Sequence, residues 1–183
     1  MKHELDPAQF FEEVAASACE ELFARYGVTV RRAAEGDDPV SPDFLLCSVI
    51  GFSGRDVCGT LVLALTDDLS GKSNPVLGST RTGVVSSRST QRDWVGELSN
   101  QLLGRIKIEL LRCGVEIYLN LPAVLLGKHL APLPRSQLKP LKFTLGDGAA
   151  AVWIEVEARA GFKIDTGKAD DKGPAAGEAL LFD

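Results

Sequence analysis

Histidine is nearly absent: the 183 residues hold only His3 and His129. A serine or cysteine nucleophile paired with a histidine base is therefore hard to assemble. A zinc site is equally hard to build, because Cys19, Cys47, Cys58 and Cys113 are scattered with no CxxC pair. Four such cysteines in a cytosolic chain are expected as reduced core residues. No run approaches the roughly 18 apolar residues that suggest a membrane span. The start, MKHELDPAQFFEEVAAS, carries acids where a signal peptide would carry an unbroken apolar stretch. A cytoplasmic location without a membrane partner is expected. Positive charge is also short: the net charge of −5 argues against binding nucleic acid through its phosphates. No glycine-rich phosphate loop precedes a helix, since GFSGRDVCG lies between predicted strands and matches no P-loop spacing.

What is present suits one domain with a sizeable core. Asp6-Pro7 supplies a cap and a first-turn proline for a helix that runs to about Tyr26, where Gly27 ends it. Phe10, Val14, Ala18, Leu22 and Tyr26 form its apolar stripe; Glu12, Glu13, Glu20 and Glu21 lie mostly off it. A short strand is expected at 28–30, then a hairpin of strands at 44–52 and 56–66. Residues 66–91 are rich in Ser, Thr and Gly and read as a long loop with at most a short helical piece. Lys72, Arg81, Arg88 and Arg92 make that stretch locally basic, a candidate for steering an acidic partner. Further strands are expected at 115–121, 123–128, 141–145 and 150–158, the last two joined at Gly146-Asp147-Gly148. Each half reads as a helix followed by strands, which suggests a loose internal duplication. The domain is expected to cover residues 1–160. Residues 161–183 read as a flexible acidic tail, whose last residues, GEALLFD, could tether a partner. Hairpin strands with helices on one side predict an α+β two-layer sandwich.

The stretch with chemical content is DWVGELSNQLLGRIKIELLRCGVEIYLNLP, residues 93–122. Trp94, Val95, Leu98, Leu102, Leu103, Ile106 and Leu110 recur at helical spacing and define the core side. Asp93, Glu97, Asn100, Gly104 and Lys107 fall together on the opposite side. Glu97 and Asn100 are three apart, so their side chains are neighbours. Gly104 leaves the next turn open to close approach. One amide and one carboxylate suffice where the hard chemistry is supplied elsewhere. In phosphoryl transfer to water, an amide can hold the water in line and a carboxylate can hold a cationic partner. The plain alternative is a solvated polar face on a core helix.

Asp93-x3-Glu97-x2-Asn100, then Gly104, then a strand ending in Leu121-Pro122, resembles the signature of the CheC/CheX/FliY family of bacterial chemotaxis phosphatases, and CheX-like members most closely. The opening helix, IGFSGRDVCGTLVLAL and LPAVLLGK support the resemblance, which covers Asp6 to about Ala158. It implies a large, mainly antiparallel sheet backed by helices, and homodimers formed through that sheet. It implies hydrolysis of the aspartyl phosphate on a CheY-type receiver. Asn100 would orient the attacking water and Glu97 would pair with a receiver lysine. Asp93, Gly104 and Pro122 would meet the partner. No intrinsic cofactor or metal ligand is implied, because Mg2+ and the phosphorylated aspartate would belong to the receiver. The sequence departs from the family in its Gly/Ser-rich 66–91 segment, which replaces a helix, and in Arg105, where Asn is frequent. The opening helix has Glu13 and Ala16 where a second Glu-x-x-Asn pair would fall, so one site is expected. The alternative function is a non-catalytic dimerisation or receiver-binding module of the same fold.

Overall fold

The sheet takes its shape from three long strands, one face of which meets the helices while the other is buried only in part. The computed structural model describes residues 4–33, 44–66, 88–127, 130, 139–145 and 148–168. In chain order they form β1 (Glu4–Leu5), α1 (Pro7–Arg25), β2 (Val30–Arg32), β3 (Phe44–Gly54), β4 (Val57–Thr66), α2 (Arg88–Arg112), β5 (Ile117–Leu119), β6 (Ala123–Leu126), β7 (Leu141–Leu145), β8 (Gly148–Ala158) and β9 (Ile164–Asp165), closed by one 3-10 turn at Thr166–Lys168. Seven strands make one antiparallel sheet in the order β2-β7-β8-β4-β3-β5, with β6 also paired to β3. This is the expected α+β sandwich.

Alternation sorts each long strand between two faces. Leu46, Ile50 and Phe52 of β3, Leu61, Leu63 and Leu65 of β4, and Ala150 and Val152 of β8 join the core shared with both helices. Cys47, Ala64, Ala151 and Trp153 form a smaller cluster against which Val49, Val62 and Leu130 pack. From α1, Phe11, Ala15, Cys19, Leu22 and Phe23 enter the main core, and the Phe11 ring stacks on Phe52 at 5.1 Å. The expected stripe was centred differently: Val14 and Tyr26 are only partly buried, at its edges. From α2, Val95, Leu98, Leu102, Leu103, Ile106 and Leu110 are fully buried, as the spacing predicts, while Trp94, expected with them, is only partly buried.

A local signal starts α1, and local signals stop both helices. Asp6 caps α1 by accepting from the Ala8 N–H at 3.0 Å, with Pro7 in the first turn. At its end, Gly27 N–H donates to Ala24 and Val28 N–H to Phe23, a Schellman cap with Gly27 at φ 73°. α2 ends the same way: Gly114, at φ 75°, donates to Leu111 and Val115 to Leu110. Val115 is thus spent on the cap, and the strand expected from 115 begins at Ile117. α2 starts at Arg88, earlier than its apolar stripe, because a formed helix extends over residues without a packing face. The rest of the 66–91 segment from 67 to 87, with Lys72 and Arg81, lies outside the described residues.

The duplication suggested by the sequence is present in the topology. Exchanging β2 with β5/β6, β3 with β7, and β4 with β8 reads the sheet order backwards and leaves it unchanged. β7 and β8 form the expected hairpin, with Leu145 opposite Gly148. Two features were not foreseen. β1 pairs with β9, placing Leu5 opposite Ile164, and Ile164 is fully buried. Residues 161–168, expected in the tail, therefore pack on the domain. The remaining tail, including GEALLFD, lies outside the described residues. Cys58 is also exposed, unlike the three buried cysteines, so the expectation of four core thiols holds for three.

Candidate functional site

Glu97 and Asn100 sit mid-helix in α2, on the side away from the buried stripe. Glu97 is exposed and Asn100 half-buried. Three residues apart, their Cβ atoms are about 5–6 Å from each other. Glu97 accepts one hydrogen bond, from the Gln101 amide at 2.9 Å. Among the described residues it has no cationic partner. The Asn100 amide makes no side-chain hydrogen bond among the described residues. Gly104, one turn on, would meet nothing within 4 Å if given a Cβ, so the face stays open there.

Two flanks enclose this face. On one, the β5–β6 connection packs on the helix: a Cβ at Gly96 would lie 3.6 Å from Pro122 Cγ and 3.5 Å from Val124 Cγ2. Gly96 and Asn100 are one turn apart, so Pro122 borders the Asn100 side. Leu121 beside it is 92% exposed. Lys107 stands over the Tyr118 ring at 5.8 Å on the same flank. On the other flank is α1. Arg105 pairs with Glu21 at 3.2 Å, and Gln101 accepts from the Tyr26 hydroxyl at 3.1 Å. Burial, and then Arg25 nearby, lower the pKa of Arg105, yet a guanidinium stays charged at neutral pH. The residue that departs from the family pattern thus turns toward α1.

Of the predicted site residues, Glu97, Asn100 and Gly104 share the open face and Pro122 borders it. Asp93 is exposed one turn earlier and is engaged by Arg92 at 3.2 Å. Counted back from the two capping glycines, Glu97 and Asn100 fall opposite Phe10 and Glu13 of α1. The equivalence to Glu13 and Ala16 was therefore shifted by one turn, and neither alignment gives α1 a Glu-x-x-Asn pair. Gln101 and Tyr26 were missed, because a contact across 75 residues leaves no periodic signal. Among the described residues no cluster of His, Cys, Asp or Glu could hold a metal ion, and no helix is long and apolar enough to cross a membrane.

The sequence profile of the family described as chemotaxis phosphatase CheX matches residues 46–145, more than half of the chain. The chain belongs to the CheX family. Its fold is shared by solved structures at low identity. A CheC-like superfamily protein from Shewanella sp. PV-4 superposes with a TM-score of 0.63 at 18% identity, over 84% of this chain and 100% of that one. Chemotaxis protein CheX from Vibrio vulnificus gives 0.61 at 19%, over 80% and 93%. The CheX–CheY–BeF3–Mg2+ complex from Borrelia burgdorferi gives 0.59 at 14%, over 83% and 98%. No curated protein matches the chain significantly in sequence. As a CheX family member, the chain is assigned at family level to the chemotaxis phosphatases.

Proposed function

We propose that this CheX-family protein hydrolyses the aspartyl phosphate of a CheY-type receiver, with Asn100 and Glu97 as its two working side chains. The observation that carries the reading is the open face of α2. Among the described residues, a carboxylate with no cationic partner and an amide with no side-chain hydrogen bond lie side by side, and Gly104 clears the approach.

The chemistry asks little of this chain. Water attacks phosphorus, the bond from phosphorus to the aspartyl oxygen breaks, and inorganic phosphate and a carboxylate result. The Asn100 carbonyl accepts from the water and fixes its direction of attack. Glu97 forms a charge-assisted bond to a lysine of the receiver and anchors the complex. Asp93 and Pro122 border the contact. Mg2+ is supplied by the receiver and compensates phosphoryl charge. A complex named CheX–CheY–BeF3–Mg2+ among the fold relatives supports a CheY-type partner and the presence of Mg2+ in such a complex. The protein acts in the cytoplasm as a homodimer. Leu125 and Leu126, 52% and 44% exposed on the β6 edge of the sheet, support a self-association surface.

The test is phosphate loss from a phosphorylated CheY-type receiver of the same organism, together with binding of that receiver. Asn100→Ala is expected to slow hydrolysis on the order of a hundredfold while binding is kept. Glu97→Gln is expected to weaken binding about tenfold. Binding without acceleration by the wild type would instead make the chain a non-catalytic receiver-binding module. Full activity in Asn100→Ala would sink the assignment of the amide.

A further inference from the structure

Gln101 has both ends of its amide engaged. Its Nε2 donates to Glu97 Oε1 at 2.9 Å, and its Oε1 accepts from the Tyr26 hydroxyl at 3.1 Å. The orientation is forced by chemistry. A carboxylate only accepts, so the NH2 end must face Glu97, and the carbonyl end is left for the phenol, which donates. Donation therefore runs one way, from Tyr26 through Gln101 to Glu97.

The origin of this relay is fixed. Tyr26 is the C-cap of α1, half-buried against the main core, with its N–H bonded to Phe23 O at 3.0 Å and the Gly27 cap following it. Its aromatic side chain turns about two torsions only, so the hydroxyl has little freedom. An exposed glutamate has three torsions and loses rotamer entropy whenever it is pinned. A neutral donor pins it without consuming its charge, which a lysine or arginine at position 101 would do.

We infer that Gln101, oriented by Tyr26, is a positioning residue that holds the Glu97 carboxylate ready on the Asn100 face before a partner cation arrives. The inference rests on the role proposed for Glu97. Its consequence is a lower ordering cost at encounter, which appears in affinity for the receiver and not in the hydrolytic step.

Two measurements test it separately. The first uses the free protein: side-chain carbon relaxation of Glu97 in wild type, Tyr26→Phe, Gln101→Met and Gln101→Glu. The wild type is expected to hold one rotamer. Gln101→Met and Gln101→Glu are expected to lose it, and Tyr26→Phe to lose it in part. Gln101→Glu keeps an acceptor for Tyr26 but sets a like charge beside Glu97, so a role confined to linking the helices would leave it unaffected. The second is turnover of a phosphorylated CheY-type receiver. KM is expected to rise about three- to tenfold in both Gln101 variants and less in Tyr26→Phe, with kcat unchanged. A Glu97 equally mobile in all four proteins overturns the inference. So does an ordered Glu97 lost in Gln101→Met with no change in KM. If the wild type leaves the receiver's phosphate untouched, the proposed function falls, while the relaxation arm still decides the relay.

Discussion

Glu97 accepts from a neutral amide, whereas Asp93, one turn away, is engaged by the Arg92 guanidinium. Composition cannot distinguish these two acids; their neighbours do. Spacing alone was enough to place Glu97, Asn100 and Gly104 on one face, since a helix of known period fixes which residues share a side. It could not reveal Gln101 and Tyr26 as a pair, because their contact depends on how α1 packs against α2. The cysteines make the same point. Burial pushes Cys19 up to about 12 and Cys47 up to about 11, and raises Cys113 for the same first cause. Cys58 lies exposed on β4. Only the thiolate reacts, so one thiol per folded chain is expected to react readily with a disulfide reagent at neutral pH. Cys58→Ser is expected to abolish that fast phase. A fast phase that survives in Cys58→Ser would mean that a buried thiol is reached.

The helices are set by their ends as much as by their stripes. Gly114 holds φ 75°, a conformation that costs an L-residue roughly 1–2 kcal/mol, so Gly114→Ala is expected to lower unfolding stability by about that amount. A denaturation midpoint equal to wild type would show that the cap relaxes freely. At the start of α1, Asp6 accepts from both Lys163 Nζ and the Ala8 N–H. The lysine bond first, and then the backbone bond, hold its carboxyl below the ordinary value of 3.8. A depressed pKa stabilises the fold above the unfolded value and ceases to do so as pH falls through the folded one. Wild type is therefore expected to exceed Asp6→Asn in stability at neutral pH, with the gap closing below about pH 4. A gap that persists unchanged at lower pH would remove the ion pair and cap as its cause. These signals were legible in the sequence as Asp-Pro and as glycines after apolar runs. The short pairing of β1 with β9 was not, since two-residue strands carry no period.

At the scale of the whole molecule, composition and packing point to different ends of the domain. Polar, glycine-rich sequence from 161 reads as tail, yet Ile164 is fully buried in the main core and Phe162 packs against it. β9 also ties the two ends of the chain together, because Leu5 pairs with Ile164 and Lys163 bridges to Asp6 at the α1 cap. One buried isoleucine among polar neighbours gives no pattern from which burial could be read. We place the domain boundary beyond residue 168 on these contacts, and two truncations separate the alternatives. If the domain is complete by residue 168, removing residues 169–183 leaves unfolding stability within about 0.5 kcal/mol of wild type. Removing 161–183 takes away a buried isoleucine, a strand pairing and the lysine partner of the α1 cap. That is expected to cost about 2–5 kcal/mol, the range for emptying a core aliphatic site, with Asn100 and Glu97 untouched on α2. If both truncations unfold at the wild-type denaturant concentration, the boundary at 160 stands and the packing of 161–168 contributes nothing.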